Sequence, residues 1–274
     1  MIEVRMNNGL KIPQVGFGVW QVEDEEATPA VLHALKAGYR HIDTAMIYKN
    51  EAGVGRAIKE SGIPREELFI TTKVWNADQG YDQTLKALED SLERLGLDYV
   101  DMYLIHWPTP EFDDYVDTYK ALEKLYHDRK TKAIGVCNFD IDHLERLKQE
   151  CTVRPAVNQV ECHPFLQQNE LKAYLDQEDI FLEAWSPLMQ GGDVLNHETV
   201  LAIAEAHGKT AAQVIIRWHM QRGHIVIPKS VTPHRIEENF DVFDFTLTDE
   251  EMKKFASLDK GERKGPEPKD MNVR

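Results

Sequence analysis

The chain has 274 residues, of which 42% are hydrophobic and 29% charged, and its formal net charge is −15 at pH 7. This composition is that of a globular protein, and the length suits either two domains or one α/β barrel of about 250 residues. The acidic balance, without a run of Lys or Arg, argues against a protein that binds nucleic acid or anionic membranes. A bound anion would therefore need a local cluster of cations.

Targeting and redox signals are few. The sequence has no run of 18 apolar residues and no signal-like N-terminus, which argues against a membrane protein. The cysteines Cys137, Cys151 and Cys162 are odd in number and follow no CxxC spacing, so we expect reduced thiols and no metal site. We expect a single cytoplasmic domain over residues 1–274, and a monomer, since no exposed apolar stripe demands a partner.

The first predicted element is a β-hairpin. Residues 1–14 alternate weakly around Asn8-Gly9, a dipeptide typical of type I′ turns. We expect this hairpin to close the bottom of the fold that follows.

Eight short apolar runs come next, and a helical pattern follows each. Their starts lie 23 to 44 residues apart, a spacing typical of strand–helix units in a parallel sheet. Eight units favour an α/β fold closed into a (β/α)8 TIM barrel. The predicted strand cores are Val15–Gly18, His41–Asp43, Phe69–Lys73, Met102–Ile105, Ala133–Val136, Ala156–Val160, Phe181–Trp185 and Ile225–Pro228.

The helices carry their own signals. Thr28-Pro29 predicts the start of the first helix, because proline is favoured at the first helical position. The long interval before the last strand holds two helical patterns, Glu198–Ala206 and Ala211–Gln221. We therefore expect extra helices near the C-terminus, followed by a polar tail from Gly261.

Polar or hydrogen-bonding residues lie at the carboxyl ends of the predicted strands. In a TIM barrel the chemistry is located at this end, so the pattern predicts a site assembled at one mouth of the barrel. The residues are Asp43, Lys73, His106, Asn138, Gln159, Trp185 and Lys229.

Asp43, Tyr48, Lys73 and His106 form a set suited to proton donation. A tyrosine phenol has a pKa near 10, and an ammonium ~4 Å away favours the phenolate by at most about 4 kcal/mol at an effective dielectric of ~20. We therefore expect Lys73 to lower the pKa of Tyr48, while Asp43 orients Lys73 and reduces that effect. His106 offers a neutral N–H to a substrate oxygen, so the set can protonate a carbonyl oxygen.

No side chain is an obvious nucleophile for the carbonyl carbon. The sequence has neither a GxSxG elbow nor an HExxH motif. A hydride from a bound nicotinamide would fill this role. Gly16-Phe17-Gly18 and Gly53-Val54-Gly55 both lack the third glycine of a Rossmann fingerprint, so the cofactor would have to lie across the barrel mouth.

Seven blocks of the sequence, in order, resemble the aldo-keto reductase superfamily nearly from end to end. The chain is most similar to the bacterial branch of glyoxal or methylglyoxal reductases and 2,5-diketo-gluconate reductases. The blocks are GYRHIDTAMIYKNE (38–51), ITTKVW (70–75), YLIHWP (103–108), IGVCNF (134–139), VNQVECHP (157–164), EAWSPL (183–188) and IPKSVTPHRIEEN (227–239).

The resemblance implies a TIM barrel that reduces aldehydes or ketones with NADPH. Tyr48 would be the general acid, Lys73 and Asp43 would tune it, and His106 would orient the carbonyl. The implied substrates are small dicarbonyls such as methylglyoxal or glyoxal, aromatic aldehydes and keto-sugars.

The resemblance also implies which residues hold NADPH. Asn138 and Gln159 match the positions that hold the nicotinamide carboxamide, and Trp185 matches the aromatic residue that stacks on the ring. Ser186 and Leu188 match contacts near the pyrophosphate. The 2′-phosphate pocket matches Lys229, Ser230, Val231, Thr232 and Arg235. Glu238 and Asn239 match the adenine contacts.

Physical chemistry agrees with the 2′-phosphate assignment. Lys229 and Arg235, near the start of a helix initiated by Pro233, form the local cationic cluster that a phosphate needs in an acidic chain. The sequence departs from the family at Cys137, which stands where the family usually has serine. Because a thiol is a weaker hydrogen-bond donor, we expect one carboxamide contact to weaken while catalysis survives.

Aromatic and apolar residues near the strand ends predict a substrate collar around Tyr48 and His106. Its members are Trp20, Ile47, Trp75 and Trp107. The loops after strands four and seven are short, which predicts an open pocket that accepts many aldehydes.

Two other functions remain open on the sequence alone. The chain could be a non-catalytic NADPH-binding sensor or structural protein on the same barrel, although such a protein need not retain a general acid. It could also be a phosphate-binding barrel isomerase or lyase, which would need no nicotinamide.

Overall fold

A computed structural model describes residues 1–274 and contains the predicted strands. The N-terminal hairpin pairs β1 (Glu3–Arg5) with β2 (Lys11–Pro13) in antiparallel fashion. Eight parallel strands follow, and each contains or overlaps one predicted core. They are β3 (Phe17–Gly18), β4 (His41–Asp43), β5 (Phe69–Val74), β6 (Val100–Ile105), β7 (Thr131–Cys137), β8 (Val157–Glu161), β9 (Phe181–Trp185) and β10 (Ile225–Val226).

The sheet closes on itself. Its strands lie in chain order from β3 to β10, and a parallel bridge joins Val15 to Val226 across the remaining gap. The Gly16 N–H donates to the Val226 carbonyl at 2.9 Å, and the Val226 N–H donates to the Gln14 carbonyl at 2.9 Å. The predicted (β/α)8 barrel is confirmed.

Ten helices surround the barrel or extend it. They are α1 (Asp24–Ala37), α2 (Glu51–Ser61), α3 (Tyr81–Leu95), α4 (Tyr115–His127), α5 (Ile141–Glu150), α6 (Asn169–Gln177), α7 (Glu198–His207), α8 (Ala211–Gln221), α9 (Pro233–Phe240) and α10 (Asp249–Ala256). The predicted pair before the last strand corresponds to α7 and α8. None of the helices combines the length and apolar character needed to cross a membrane.

The start predicted for α1 is wrong. The helix begins at Asp24, and Pro29 lies inside it. Proline is tolerated there because it removes a single hydrogen bond near the helix start, where the first-turn acids Asp24, Glu25 and Glu26 stabilise the helix dipole.

The hairpin closes the barrel end opposite the strand carboxyl termini. Met6 and Ile12 are buried in one apolar cluster with Phe69 and Met102, which lie in the amino-terminal halves of β5 and β6. The turn is not type I′: the Gly9 N–H donates to the Met6 carbonyl at 2.9 Å, and Gly9 is the only loop residue with positive φ, at 85°. Glycine therefore occupies the left-handed position of a three-residue loop.

Candidate active site

Asp43, Lys73 and Tyr48 are in contact at the barrel mouth, which we define as the carboxyl ends of β3–β10. Asp43 ends β4, Lys73 lies near the end of β5, and Tyr48 ends a short 3₁₀ turn after β4. The fully buried Lys73 Nζ donates to Asp43 Oδ1 at 2.6 Å, to the Thr44 carbonyl at 3.0 Å and to the Tyr48 hydroxyl at 3.4 Å. All three ammonium protons therefore have acceptors.

The ionisation of this group differs from the sequence prediction. Burial raises the pKa of Tyr48 to about 12, because it outweighs the lowering effect of Lys73 while Asp43 acts in the same direction as burial. Burial lowers the pKa of Lys73, but Asp43 and Tyr48 raise it more, so its pKa lies above the usual value. The expected lowering of the Tyr48 pKa is wrong. Tyr48 is a protonated phenol at neutral pH, and Lys73 is a cation.

His106 completes this corner of the mouth. Its ring forms T-shaped contacts with two aromatic rings, Tyr48 at a centroid distance of 5.6 Å and Trp75 at 5.3 Å. Burial, together with Lys73, holds the pKa of His106 well below its usual value, so the imidazole is neutral. Its Nδ1 is buried without a partner. A neutral imidazole beside a phenol can orient an oxygen that receives the phenol proton.

Asn138 and Trp185 are joined on the other side of His106. Asn138 follows β7 in a left-handed conformation (φ 60°), and its Nδ2 donates to the His106 carbonyl at 2.9 Å. The Trp185 Nε1 donates to Asn138 Oδ1 at 2.9 Å. The indole therefore fixes the orientation of the Asn138 amide.

Gln159 is held by two acids. Its Nε2 donates to Asp43 Oδ2 at 2.8 Å and to Glu183 Oε2 at 3.0 Å. These contacts use both amide protons, so Oε1 remains available as an acceptor. Cys137 lies in the same interior and is 1% exposed, and burial raises the pKa of its thiol. Cys137 is therefore an uncharged group beside Lys73.

The C-terminal tail packs against the mouth. The Lys264 and Gly265 N–H groups donate to the two oxygens of the buried Glu161 at 2.7 and 2.9 Å. Further along, the Val273 carbonyl accepts from Asn76 Nδ2 at 2.7 Å. The polar segment predicted from the sequence is thus an ordered strap that runs from the end of β8 to the end of β5.

The residues predicted to bind phosphate and adenine lie between β10 and α9 or on α9. Lys229 and Arg235 are exposed, and neither forms an ion pair or side-chain hydrogen bond. Glu238 accepts from the Thr210 hydroxyl at 2.9 Å, and Asn239 is buried. The other predicted contacts are half-buried or exposed: Ser186, Leu188, Ser230, Val231 and Thr232.

The predicted collar residues differ in exposure. Trp20 is 40% exposed and Trp107 only 7%, whereas Ile47 and Trp75 are half-buried. Trp75 contacts His106, as described above, and Trp107 accepts a 2.7 Å hydrogen bond from Gln79 through its carbonyl.

The sequence prediction missed three buried polar residues of the site: His41, Glu161 and Glu183. All three are fully buried. Glu183 stands within β9, whose other residues are apolar, and a charged residue in such a strand is rare unless it has a partner. That signal could have identified Glu183. The strands β4 (HID) and β8 (VNQVE) are too polar for it to single out His41 and Glu161.

Comparisons with known proteins agree with this geometry. The sequence profile described as "Aldo/keto reductase family" matches residues 14–260. Glyoxal reductase of Bacillus subtilis (strain 168) is 57% identical over 269 residues, covering 98% of this chain and 96% of its own. Methylglyoxal reductase DkgA of Escherichia coli (strain K12) is 50% identical over 266 residues, covering 97% and 96%. The solved structure of a Gox0644 mutant in complex with NADPH has a TM-score of 0.94, with 45% identity and 97% coverage of both chains.

Proposed function

The chain belongs to the aldo/keto reductase family, and from this premise we propose that it reduces aldehydes and small dicarbonyls such as methylglyoxal and glyoxal, with Tyr48 as the general acid. It is an NADPH-dependent oxidoreductase that acts on carbonyl compounds. The observation that carries the assignment of the acid is the contact of the Tyr48 hydroxyl with Lys73 Nζ at 3.4 Å, with Lys73 held by Asp43.

The proton transfer follows from these contacts. NADPH, when bound, supplies the hydride that reduces the carbonyl carbon. As negative charge develops on the carbonyl oxygen, Tyr48 donates its proton to that oxygen. The resulting phenolate would be costly in this buried site, but the Lys73 ammonium stabilises it. Asp43 keeps Lys73 in place, and the neutral His106 donates a hydrogen bond to the same oxygen.

The chain's own residues fit NADPH. The free Oε1 of Gln159 suits the amide protons of the nicotinamide, and the orientation of Asn138 is fixed by Trp185. We assign the nicotinamide carboxamide to Gln159 and Asn138 and ring stacking to Trp185. We assign the 2′-phosphate to Lys229 and Arg235, which are unpaired cations in a chain of net charge −15.

The substrate class rests on the relatives and on the short mouth. The relatives cited above are named for glyoxal and methylglyoxal. The loop after β6 spans only residues 106–114 before α4, so few residues extend over Tyr48. This supports a pocket for small, varied carbonyls rather than a tight pocket for one large substrate.

The test is NADPH consumption with methylglyoxal, followed at 340 nm. We expect turnover by the natural protein and a loss of at least about 100-fold for Tyr48→Phe, because a positioned general acid contributes roughly 10² to 10⁴ in rate. NADPH binding, measured by quenching of tryptophan fluorescence, should stay within about threefold, since the hydroxyl alone is removed. An unchanged turnover number would refute Tyr48 as the acid. Tight NADPH binding by the natural protein without turnover of any aldehyde would indicate a non-catalytic binder instead.

A further inference from the structure

Glu183 lies inside the barrel, beside Gln159 on the neighbouring strand. It is on β9, its side chain is fully buried, and its Oε2 accepts from the same Gln159 Nε2 that donates to Asp43. Asp43 and Glu183 therefore share one amide group between them. Because both acids are buried and share one donor, it has to be decided whether both can be ionised.

The buried charges around Asp43 and Glu183 do not balance if both acids are ionised. The two carboxyl groups of Asp43 and Glu183 have only one buried cation beside them, Lys73. Lys73 Nζ is 2.6 Å from Asp43 Oδ1, and Asp43 is the only acid with which it forms an ion pair. Asp43 therefore keeps its charge. A second unpaired carboxylate beside it would be strongly unfavourable, because like charges in one site force one group to take a proton.

His41 cannot supply the missing positive charge. Its Nε2 is 3.5 Å from Glu183 Oε1. Burial is the largest effect on His41 and lowers its pKa to about 4, so the ring is neutral and can accept a hydrogen bond. Glu183 Oε1 has no other partner. A proton on Oε1, directed towards His41 Nε2, would give Oε1 a partner; the Thr71 hydroxyl also lies 3.5 Å from that nitrogen.

We propose that Glu183 is a protonated, uncharged positioning residue that holds the Gln159 amide and leaves Lys73 to Asp43 and Tyr48. The inference deepens the proposed function and, in its catalytic part, rests on it. Glu183 does not touch the reacting atoms. It acts by fixing Gln159 with Nε2 towards the two acids, which leaves Oε1 to accept from the amide proton donor of a bound nicotinamide.

The surroundings of Glu183 favour the neutral form from several sides. His41 and Asp43 face it from β4, Lys73 from β5, and Cys137 from β7. Burial, reinforced by Asp43, raises the pKa of Glu183 to about 8, against opposing effects of Gln159 and Lys73. Ionisation of Glu183 above that pH would place a second negative charge beside Asp43. The new carboxylate would also compete with Asp43 and Tyr48 for stabilisation by Lys73.

The first test observes the proton directly in the natural protein. With glutamate labelled by ¹³C at the side-chain carboxyl, we expect one resonance at the chemical shift of a protonated acid at pH 7, because Glu183 is the only glutamate with a raised pKa. That resonance should move to the ionised position as the pH rises through about 8. A spectrum with every glutamate ionised at pH 7 would overturn the proposal. The readout does not depend on turnover.

The second test compares the thermal stability of Glu183→Gln with that of the natural protein. The folded pKa of Glu183 is raised from 4.5 to about 8. The natural protein therefore loses stability relative to the variant as the pH rises between these values, and the difference is constant above and below them. Between pH 5 and pH 8 the Tm gap, defined as the Tm of the variant minus that of the natural protein, should increase by at least about 4 °C. A gap independent of pH would mean that Glu183 is charged throughout.

The third test separates positioning from simple packing. Glu183→Met keeps the volume but removes the acceptor, so the Gln159 amide is no longer fixed, and we expect about tenfold weaker NADPH binding. Glu183→Gln restores the acceptor and should rescue binding to within about threefold of the natural protein. Equal losses in the two variants would contradict the role. If the natural protein reduced no carbonyl, the proposed function would fail, yet the carboxyl resonance and the Tm gap would still decide the charge of Glu183.

Discussion

Arg235 is an exposed cation at the start of α9 that has no partner in the chain, although acids outnumber bases by 47 to 32. An unpaired guanidinium at a helix N-terminus suits a phosphate for two reasons. Its parallel N–H groups can donate to two phosphate oxygens, and the helix dipole favours an anion at this end. Its assigned ligand, the 2′-phosphate, is the only group that distinguishes NADPH from NADH.

We therefore expect Arg235→Ala to weaken NADPH binding by at least about tenfold, the loss of one charge-assisted hydrogen bond, and to change NADH binding by less than twofold. Fluorescence titration with both cofactors measures this. Arg129→Ala is the matched control, since Arg129 is also exposed and unpaired but precedes β7 at the opposite end of the barrel. Equal losses for both cofactors would place the 2′-phosphate elsewhere.

At the residue scale, the sequence predicted where the site residues lie but not the pKa of Tyr48. Asp43, Lys73 and His106 lie at or next to the carboxyl ends of three parallel strands, so their meeting at one mouth follows from the parallel arrangement. The pKa of Tyr48 depends on how completely its surroundings are buried, and a distance to Lys73 alone carries no such information. A charge within the apolar strand β9 marks Glu183 as unusual, but its partner Gln159, 24 residues away on another strand, could not be read from that local pattern.

At the scale of elements, the C-terminal strap packs against Glu161 and against Trp185, the residue to which we assign stacking on the nicotinamide. Gly265 lies against Trp185, and a Cβ at this position would stand 2.5 Å from Trp185 Cη2 and 3.2 Å from Glu161 Oε2. The φ of Gly265 is outside the left-handed range, so any effect of a substitution there is steric. The ring of Trp185, and with it the hydrogen bond to Asn138, would have to move.

We expect Gly265→Ala to weaken NADPH binding by roughly tenfold, because the displaced indole loses its hydrogen bond and its stacking position. The near-ultraviolet circular dichroism of tryptophan should change as well. Lys264→Ala serves as the control, because it removes an exposed side chain and leaves the main-chain N–H on Glu161. Indistinguishable binding by the two variants would show that the strap does not position Trp185.

The elements themselves were largely predictable, since strand and helix periodicities are local. The exceptions have physical causes. Thr28-Pro29 imitates a helix start, but the packing of α1 on α2 extends the helix back to Asp24. Gly53 and Gly55 imitate a nucleotide loop; a Cβ on either would come within 2.3 Å of a backbone carbonyl, of Asp24 or Leu95, so they are needed for helix packing. The strap depends on long-range contacts that no local pattern encodes.

At the scale of the whole molecule, stability should depend on pH through buried neutral histidines. Burial lowers the pKa of His41, His106, His219 and His224. In the unfolded chain these groups bind protons below about pH 6.5, whereas in the folded protein they remain neutral. Their contribution is therefore complete above that pH and is lost as the pH falls.

Urea unfolding should accordingly show a loss of several kcal/mol between pH 7 and pH 5.5, with a limit of about 1.4 kcal/mol per histidine per pH unit. Glu183 acts in the opposite direction over the same range, because its contribution to stability declines as the pH rises from 4.5 to about 8. It therefore reduces the net loss, but one group does not cancel the effect of four histidines. Equal free energies of unfolding at pH 7 and pH 5.5 would mean that these histidines are protonated in the folded protein.

The hairpin and the mouth occupy opposite ends of the barrel, and this separation governs how the molecule can be attached to a solid support. The native thiols are buried or half-buried, so a single cysteine introduced at the exposed Glu3 on β1 would anchor the protein to an electrode or bead with its reactive face outwards. A cysteine introduced instead at Phe112, in the loop after β6 that the strap covers, would turn the barrel mouth towards the support. Two immobilised preparations of the same protein should then differ in catalytic output solely through orientation.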